Sequence, residues 1–278
     1  MMCAWEPLLH ILPPVIRKDV DKLGKETLQE VRLRKGKNVC MGLRGKSVLI
    51  PYKVSETDLE FVVNTASKYS PWAASTTRMG YITAPGGHRI GICGECVIKQ
   101  GEMSGFRRLD SLCVRVARDI RNFAPHDTPR DSALIIGPPG SGKTTFLRDL
   151  IRNITSNVDQ NVTVVDERGE LFPVDAGFDS GISADILSGC GKGHGIMLAL
   201  RTMNPKWIAV DEVTAMEDSS ALYQVIRCGV RLLATAHAFS VDDLYKRQIY
   251  RPLVESGIFQ TCFVLDEKQS WHRERMTK

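Results

Sequence analysis

The sequence lacks any long hydrophobic run. None of its 278 residues lies in a stretch of about 18 consecutive apolar residues, the length that a membrane-spanning helix requires. The short apolar stretch near the start is interrupted by Glu6, His10 and two adjacent prolines, so it fits neither a membrane anchor nor a secretory signal. We therefore expect a soluble protein that is not exported.

A dense cysteine framework is also missing. The eight cysteines are scattered through segments with strand or helix patterns, so we expect free thiols in a reducing cytoplasm rather than disulfides. Cys93 and Cys96 have the spacing of a metal-binding or redox pair, but no second pair and no histidine cluster follows to complete a zinc site. We interpret both as small apolar side chains near a turn.

The positive charge is unevenly distributed along the chain. Residues 1–130 carry 21 Lys and Arg against 13 Asp and Glu, whereas residues 131–278 carry 16 against 19. A basic first half could bind nucleic acid, anionic lipid headgroups or an acidic protein, and it could equally be an ordinary solvated surface. The 43% of hydrophobic residues excludes disorder as the main state of the chain.

Residues 1–122 have the pattern of a small α+β domain. Runs of alternating apolar and polar residues at 31–41 and 46–54 predict strands, and the glycines beside them predict turns. A helix is predicted from Ser55, because Ser55 and Asp58 form a capping pair ahead of an apolar periodic stretch.

Residues 131–278 predict an α/β domain, which follows a linker at 123–130 that contains prolines and mixed charges. Short aliphatic or β-branched runs alternate with helical patterns there, which is typical of a mainly parallel sheet with crossover helices. The glycine-rich stretch 189–195 is interpreted as a mobile loop. The predicted strands carry the sequences ALIIG, VTVVDE, WIAVDEV, RLLATAH and FVLDE.

The segment GPPGSGKT at 137–144 matches the Walker A pattern G-x-x-x-x-G-K-[ST] in full. It follows the apolar ALII and precedes the helical FLRDLIRNI, the context in which a phosphate loop occurs. Backbone N–H groups would face the phosphates of ATP, Lys143 would neutralise the β- and γ-phosphates, and Thr144 would offer its hydroxyl to Mg²⁺. The predicted nucleotide-binding residues are Gly137, Pro138, Pro139, Gly140, Ser141, Gly142, Lys143, Thr144 and Thr145.

Acidic side chains and a histidine follow the other predicted strands. Asp211 would hold Mg²⁺ through its water shell, and Glu212 would polarise the attacking water. Ligands of parallel sheets gather at the carboxyl ends of the strands, so we expect a second group of strand-end side chains to converge on the γ-phosphate. That group comprises Asp166, Glu167, Glu170, Thr235 and His237.

In this order along the chain, the motifs resemble those of the secretion ATPase superfamily, which includes type II and type IV secretion motors and pilus retraction ATPases. Glu217 follows Glu212 by five residues, the interval of the two glutamates in the Walker B box of that family, and ATAH matches the core of its histidine box. Asp211 and Val230 depart from the family pattern, which indicates a distinct branch. The resemblance implies a RecA-like fold and a Mg²⁺-dependent ATPase with catalytic Lys143, Glu167, Glu212, Glu217 and His237.

Nearly the full length of the chain resembles one branch of that superfamily, the stage III sporulation AA family of endospore-forming bacteria. The likeness is carried by VRLRKGKNV, GYITAPGGHRIGICGE, SLCVRVARDI, VVDERGEL and VDEVTAMED. The family implies a cytoplasmic ATPase of the mother cell, peripheral to a membrane complex, that powers or gates a transport channel between mother cell and forespore. It also implies membrane-embedded channel subunits as partners and a hexamer in which Arg89 and Arg115 are the candidates to reach the phosphates.

Two other functions stay open at this point. A nucleic-acid-dependent RecA-like ATPase would use the basic first half to bind DNA or RNA, although the aromatic residues that stack on bases are few there. A scaffold that binds nucleotide as a switch is the second alternative, and the pair Asp211 and Glu212 argues against it.

Overall fold

The structure is a computed structural model that describes residues 3–43, 45–67, 80–173, 176–213 and 216–276, with backbone alone for residues 216 and 217. The chain divides into two compact units. The N-terminal unit consists of Met1–Asp119 and Pro173–Gly177, and the C-terminal unit consists of Ile120–Phe172 and Phe178–Lys278.

The N-terminal unit contains a six-stranded antiparallel sheet and helices that share one apolar core with it. The strands are β1 (Leu28–Arg34), β2 (Asn38–Leu43), β3 (Lys46–Lys53), β4 (Tyr81–Thr83), β5 (Arg89–Lys99) and β6 (Glu102–Arg115). The helices among the described residues of this unit are α1 (Trp5–Ile11), α2 (Pro14–Leu23) and α3 (Glu56–Ser67), and a 3₁₀ turn spans Pro85–Gly87. The strand order is β3-β2-β1-β6-β5-β4. Alternate residues such as Val31, Leu33 and Val114 are buried with Leu8 and Ile16 of the helices.

Helix α3 begins where the sequence predicts. The hydroxyl Oγ of Ser55 accepts the N–H of Asp58 at 3.1 Å, and the carboxylate of Asp58 accepts the N–H of Ser55 at 2.8 Å. This reciprocal pair is a capping box, which satisfies backbone N–H groups that the first turn of a helix leaves unpaired.

Cys93 and Cys96 lie within strand β5, so their interpretation as small apolar side chains near a turn is wrong. Both thiols are exposed. The pairing of β5 with β6 shifts register between Cys93 and Gly94 and again between Glu95 and Cys96, so the glycine marks a bulge inside a long hairpin. Within the described ranges, no group of three or more His, Cys, Asp or Glu residues is arranged to hold a metal ion.

The C-terminal unit contains a seven-stranded, mainly parallel sheet, as the sequence predicts. The strands are β7 (Ala133–Ile136), β8 (Val162–Asp166), β9 (Ala184–Ser188), β10 (Trp207–Val210), β11 (Arg231–Ala236), β12 (Thr261–Leu265) and β13 (Trp271–Arg275). The helices are α4 (Lys143–Thr155), α5 (Lys192–Thr202), α6 (Met216–Arg227), α7 (Val241–Lys246) and α8 (Arg251–Glu255). The strand order is β13-β12-β7-β11-β10-β8-β9, and β13 runs antiparallel to β12 while the other pairs are parallel.

Both faces of this sheet are covered, which explains the unbroken apolar runs of its strands. Every residue of β7, β8, β10 and β12 is buried. Phe146 and Leu150 of α4 share a core with one face, and Ile196 of α5 and Leu222 of α6 share a core with the other. Because β7, β8, β10 and β11 run parallel, their carboxyl ends meet at one edge of the sheet.

No helix in the described part of the chain combines the length and the apolar character that crossing a bilayer requires.

The first part of the predicted linker 123–130 packs as a part of the C-terminal unit. Asp149 of α4 is 3% exposed and accepts the backbone N–H groups of Phe123 at 2.6 Å and of Ala124 at 2.9 Å. The side-chain amide of Asn153 donates to the carbonyl oxygen of Pro125 at 2.9 Å. These bonds fix the chain to α4, and the boundary between the two units falls earlier, between Asp119 and Ile120.

We expect Asp149→Ala to lower the free energy of unfolding by about 2–4 kcal/mol, because it leaves two backbone N–H groups and the buried Arg152 without their carboxylate. Asp149→Asn keeps one acceptor oxygen, so we expect a smaller decrease in the free energy of unfolding. Urea unfolding of both variants beside the wild type measures the difference. A loss below about 0.5 kcal/mol for Asp149→Ala would contradict the anchoring role.

Candidate active site

The loop from Gly137 to Gly142 connects β7 to the first turn of α4, in the strand–loop–helix order that the sequence predicts. Gly142 has a φ of 94°, a left-handed conformation that favours glycine. At Gly137 a Cβ atom would lie 2.6 Å from Oγ of Ser141 and 2.8 Å from the carbonyl oxygen of Leu265. Glycine is therefore required at the first position by close packing and at the last by backbone conformation.

Lys143, the first residue of α4, is folded back onto this loop. Its Nζ donates to the carbonyl oxygens of Gly137 at 2.8 Å and Pro138 at 2.9 Å, and to Nδ1 of His237 at 3.0 Å. The residue is 7% exposed. Burial lowers the pKa of Lys143, and the negative charges of Asp211 and Glu212 act in the opposite direction.

Asp211 follows β10 and joins the loop to the centre of the sheet. Its Oδ2 accepts the hydroxyl of Thr144 at 2.9 Å, and its Oδ1 accepts the hydroxyl of Thr235 at 2.7 Å. Thr235 lies on β11, which runs between β7 and β10. The hydroxyl of Thr235 on β11 therefore holds the carboxylate of Asp211, which follows β10. In this position the carboxylate also reaches Thr144 on α4, the helix that follows β7.

Glu212 lies in a strained turn that aims its carboxylate at His237. Its φ is 47°, which is uncommon for a residue with a side chain. Its backbone N–H donates to Oγ1 of Thr235 at 2.7 Å. Its Oε1 lies 2.9 Å from Nε2 of His237, and its Oε2 lies 3.5 Å from an Nη atom of Arg168.

These contacts assign one tautomer to His237. Nδ1 accepts from Lys143, so the proton resides on Nε2, which donates to Glu212. A neutral imidazole satisfies both contacts at once. The side chains of Lys143, His237 and Glu212, together with Thr235, Asp211 and Thr144, form one connected network at the carboxyl edge of the sheet.

Asp166 and Glu167, the two acidic residues at the carboxyl end of β8, lie in different environments. Asp166 is 2% exposed, and its carboxylate accepts the N–H groups of Glu170 at 2.8 Å, Leu171 at 2.9 Å and Phe172 at 3.0 Å, so it organises the turn after β8. Glu167 instead pairs with Nζ of Lys192 at 2.7 Å. One small cavity is lined by Asp166, Glu167, Arg168, Glu170, Lys192, Asp211 and Glu212.

Burial raises the pKa of Asp166 from 3.8 to about 6, although the N–H groups of Phe172 and Leu171 act in the opposite direction. Between these two pH values the folded chain binds the proton more tightly than the unfolded chain, so the contribution of Asp166 to stability falls as the pH rises through about 6. We compare the free energy of unfolding of the wild type with that of Asp166→Asn. We expect the wild type minus variant difference to increase by about 2 kcal/mol when the pH is lowered from about 7.5 to about 4.5. Urea unfolding of both proteins across this range measures it, and parallel curves would contradict it.

Sequence reasoning missed the role of two cationic residues. Lys192 is the first residue of α5, so the interpretation of 189–195 as a mobile loop is wrong from this position onward. A Cβ atom at Gly195 would lie 2.6 Å from Cγ1 of Val165, so this glycine lets the helix approach β8 closely. Arg168, the second missed residue, could have been noticed from its place between the acidic residues after β8.

Three of the predicted site residues are not part of this network: two lie in the N-terminal unit, and the side chain of the third is outside the described residues. The backbone of Glu217 is in α6, and its side chain is outside the described residues. Arg89 and Arg115 are register partners on β5 and β6 of the N-terminal unit, and the guanidinium of Arg89 stacks 4.2 Å from the ring centre of Tyr81. Their role toward the phosphates stays a prediction.

The sequence matches the protein family described as "Sporulation stage III, protein AA" over residues 5–275. The chain belongs to this family. It is 32% identical over 270 residues to stage III sporulation protein AA of Bacillus subtilis (strain 168), an alignment that covers 91% of this chain and 88% of the relative. The resemblance of the sequence to the stage III protein AA family is thereby confirmed over residues 5–275.

Solved structures with the fold of this stage III protein AA family member include an ATPase and a pilus retraction motor. The Legionella pneumophila ATPase DotB matches with a TM-score of 0.61 at 17% identity, covering 95% of this chain and 80% of DotB. The pilus retraction motor PilT with bound ADP matches with a TM-score of 0.63 at 14% identity, covering 100% of this chain and 84% of PilT. At these identities the likeness establishes the RecA-like fold and the N-terminal domain before it.

Proposed function

We propose that the chain is a Mg²⁺-dependent ATPase that powers or gates a transport channel complex between mother cell and forespore. The observation that carries the catalytic part is the network linking Lys143 and Thr144 of the loop to Asp211, Glu212 and His237 at the strand ends. A phosphate cradle, a metal ligand and a base are the parts that phosphoryl transfer to water needs.

Each side chain of the network has a distinct task in this proposal. The loop N–H groups and Lys143 bind the phosphates and hold the negative charge that develops on them. Glu212 orients the attacking water and holds its proton on a carboxylate oxygen. His237 positions Glu212 through Nε2 and positions Lys143 through Nδ1. Arg168, beside Glu212, adds positive charge where the terminal phosphate would lie.

The donors at Thr144 and Asp211 fit Mg²⁺. A hydroxyl and a carboxylate oxygen lie 2.9 Å apart at the mouth of the loop. Mg²⁺ binds few protein oxygens and completes its shell with water and substrate phosphates, so a cage of several protein ligands is not required. Bound there, the ion would neutralise phosphate charge, with Thr144 as direct ligand and Asp211 as ligand through water.

The cellular part of the proposal is supported by membership of the sporulation family. We propose that the protein acts as a hexamer in the mother-cell cytoplasm, that it docks on membrane-embedded subunits of the channel complex, and that Arg89 or Arg115 reaches the phosphates. The basic N-terminal half would suit an acidic cytoplasmic segment of such a subunit.

The test is ATP hydrolysis by the purified chain with Mg²⁺ and with EDTA, at several protein concentrations, with mass measured by light scattering. Each sample is repeated with the cytoplasmic parts of the membrane subunits and, separately, with DNA. Mg²⁺-dependent turnover that increases with assembly or with the membrane subunits supports the proposal. Turnover stimulated by DNA alone would favour the nucleic-acid-dependent alternative. No turnover in any sample would contradict the ATPase assignment.

A further inference from the structure

The hydroxyl of Tyr250 lies between the two segments that carry Glu212 and His237. Its Oη donates to the carbonyl oxygen of Val213, the residue after Glu212, at 2.9 Å. The same oxygen accepts the backbone N–H of His237 at 3.4 Å. A phenol can donate one hydrogen bond and accept another, so both contacts form at once. One side chain therefore joins the segment of Glu212 to that of His237 through their backbones.

The turn at Glu212 depends on bonds from neighbouring segments, because its backbone is strained. A residue with a side chain keeps a φ of 47° only where its surroundings hold it there. Thr235 contributes two bonds: its Oγ1 accepts the N–H of Glu212 at 2.7 Å, and its carbonyl oxygen accepts the N–H of Val213 at 3.0 Å. Tyr250 adds the bond to the carbonyl oxygen of Val213. Losing that bond frees the carbonyl end of the turn that carries Glu212.

Tyr250 is itself fixed by packing and by backbone bonds. It directly precedes α8, and its ring is buried in the apolar core that α5 and α6 share with the sheet. Its N–H donates to the carbonyl oxygen of Arg247 at 3.0 Å, and its carbonyl oxygen accepts the N–H of Val254 at 3.0 Å. The guanidinium of Arg247 is held in turn by the carboxylate of Asp243 at 2.9 Å. The hydroxyl therefore has a defined position from which to hold the two segments.

The hydroxyl is the part of this side chain that core packing does not require. Phenylalanine would fill nearly the same space without the cost of removing a polar group from water. Burial raises the pKa of Tyr250 above its ordinary value of 10, whereas the N–H of His237 acts in the opposite direction. At about pH 7 the phenol is therefore neutral and keeps the proton that it donates to Val213. What the hydroxyl adds to the fold is its pair of bonds at the site.

We propose that Tyr250 is a positioning residue for ATP hydrolysis, which sets the carboxylate of Glu212 against the imidazole of His237. The inference rests on the proposed function, because it takes Glu212 as the residue that orients the attacking water. The two side chains meet at 2.9 Å between Oε1 and Nε2, and the backbone at each end of this contact is bonded to the same hydroxyl. A displacement of about 1 Å at such a site can lower the rate by about 100-fold.

The test is Tyr250→Phe, which removes the hydroxyl and keeps the ring. We expect kcat for ATP hydrolysis to fall about tenfold and KM to stay within about twofold of the wild type, because the hydroxyl bonds the strand-end segments and not the phosphate loop. Tyr223→Phe is the matched control. The hydroxyl of Tyr223 on α6 donates to the carbonyl oxygen of Pro252 at 2.8 Å, so its loss removes a bond of the same kind outside the network. Its kcat should stay within about twofold of the wild type.

A second measurement shows whether Tyr250 acts through Glu212. Tyr250→Phe is combined with Glu212→Gln, and the residual rate is measured by single-turnover hydrolysis. If the hydroxyl serves to place the carboxylate, the combined variant should be less than about twofold slower than Glu212→Gln alone. A general loosening of the fold would instead lower the rate by the same factor in both backgrounds. Urea unfolding of each variant checks that the chain still unfolds in one cooperative transition.

The outcomes separate this inference from the proposed function. A wild-type kcat in Tyr250→Phe, a change in KM alone, or an equal loss of rate in both backgrounds overturns the positioning role and leaves the proposed function intact. A wild-type chain that does not hydrolyse ATP, alone or with the membrane subunits, overturns both. A loss of kcat that disappears in the Glu212→Gln background, with Tyr223→Phe fully active, supports the positioning role of Tyr250.

Discussion

Glu212→Gln is expected to reduce ATP hydrolysis by about 10²–10⁴-fold while ATP still binds with wild-type affinity. The amide keeps the shape of the side chain and its contact distance to His237, but it cannot hold the proton of the attacking water. The backbone bond from Glu212 to Thr235 is unaffected, so the strained turn is retained. Single-turnover hydrolysis and equilibrium ATP binding, measured on the same preparation, separate the two effects.

Glu255→Gln is the matched control for this variant. Glu255 is a surface residue of α8 that pairs with Arg251 at 2.7 Å, so the same change of charge occurs away from the network. It should hydrolyse ATP at the wild-type rate. If Glu212→Gln kept half or more of the wild-type rate, the assignment of Glu212 as the base would be wrong.

Lys143→Ala is expected to weaken ATP binding by about 100-fold or more and to remove measurable hydrolysis at moderate ATP concentration. The ammonium group is buried at the loop and is the cation that would meet the β- and γ-phosphates. Because burial lowers the pKa of Lys143, its charged form is stabilised less by the folded chain than by water. The free energy of unfolding should therefore change by no more than about 1 kcal/mol.

The control is Lys246→Ala, which removes an exposed ammonium group from α7. Equilibrium binding of ATP and urea unfolding are measured for both variants. Wild-type ATP affinity in Lys143→Ala would contradict a phosphate-binding role. A large loss of stability in Lys143→Ala would show that any loss of binding comes from misfolding.

The elements of the fold that the sequence predicted are those that depend on residues close together in the chain. The runs ALII and WIAV are buried on both faces, so every position is apolar and the strands are visible without knowledge of their neighbours. The phosphate loop is equally local, because its glycines are required by its own turn and by close packing. Strand β13, with the sequence WHRER, has no such pattern, because its extended form depends on pairing with β12.

The parts of the site that the sequence did not predict depend on which strands are neighbours. The sequence predicts Thr235 as a strand-end residue of the site, but it does not predict that its hydroxyl binds Asp211, because that bond depends on β11 lying between β7 and β10. Arg168 meets Glu212, and Lys192 meets Glu167, across segments that are distant in the chain. The spacing of residues within one segment cannot predict contacts between side chains of distant segments.

The charged character of β13 has a consequence for how copies of the protein coexist at high concentration. Among the described strands, β13 is the outermost on its side of the sheet. It carries the charged Arg273, Glu274 and Arg275, and His272 meets Glu274 at 2.7 Å. A charged edge of this kind disfavours the addition of a strand from another chain, which is the first step of sheet extension into fibrous aggregates. Concentrated samples should thus resist aggregation through this edge.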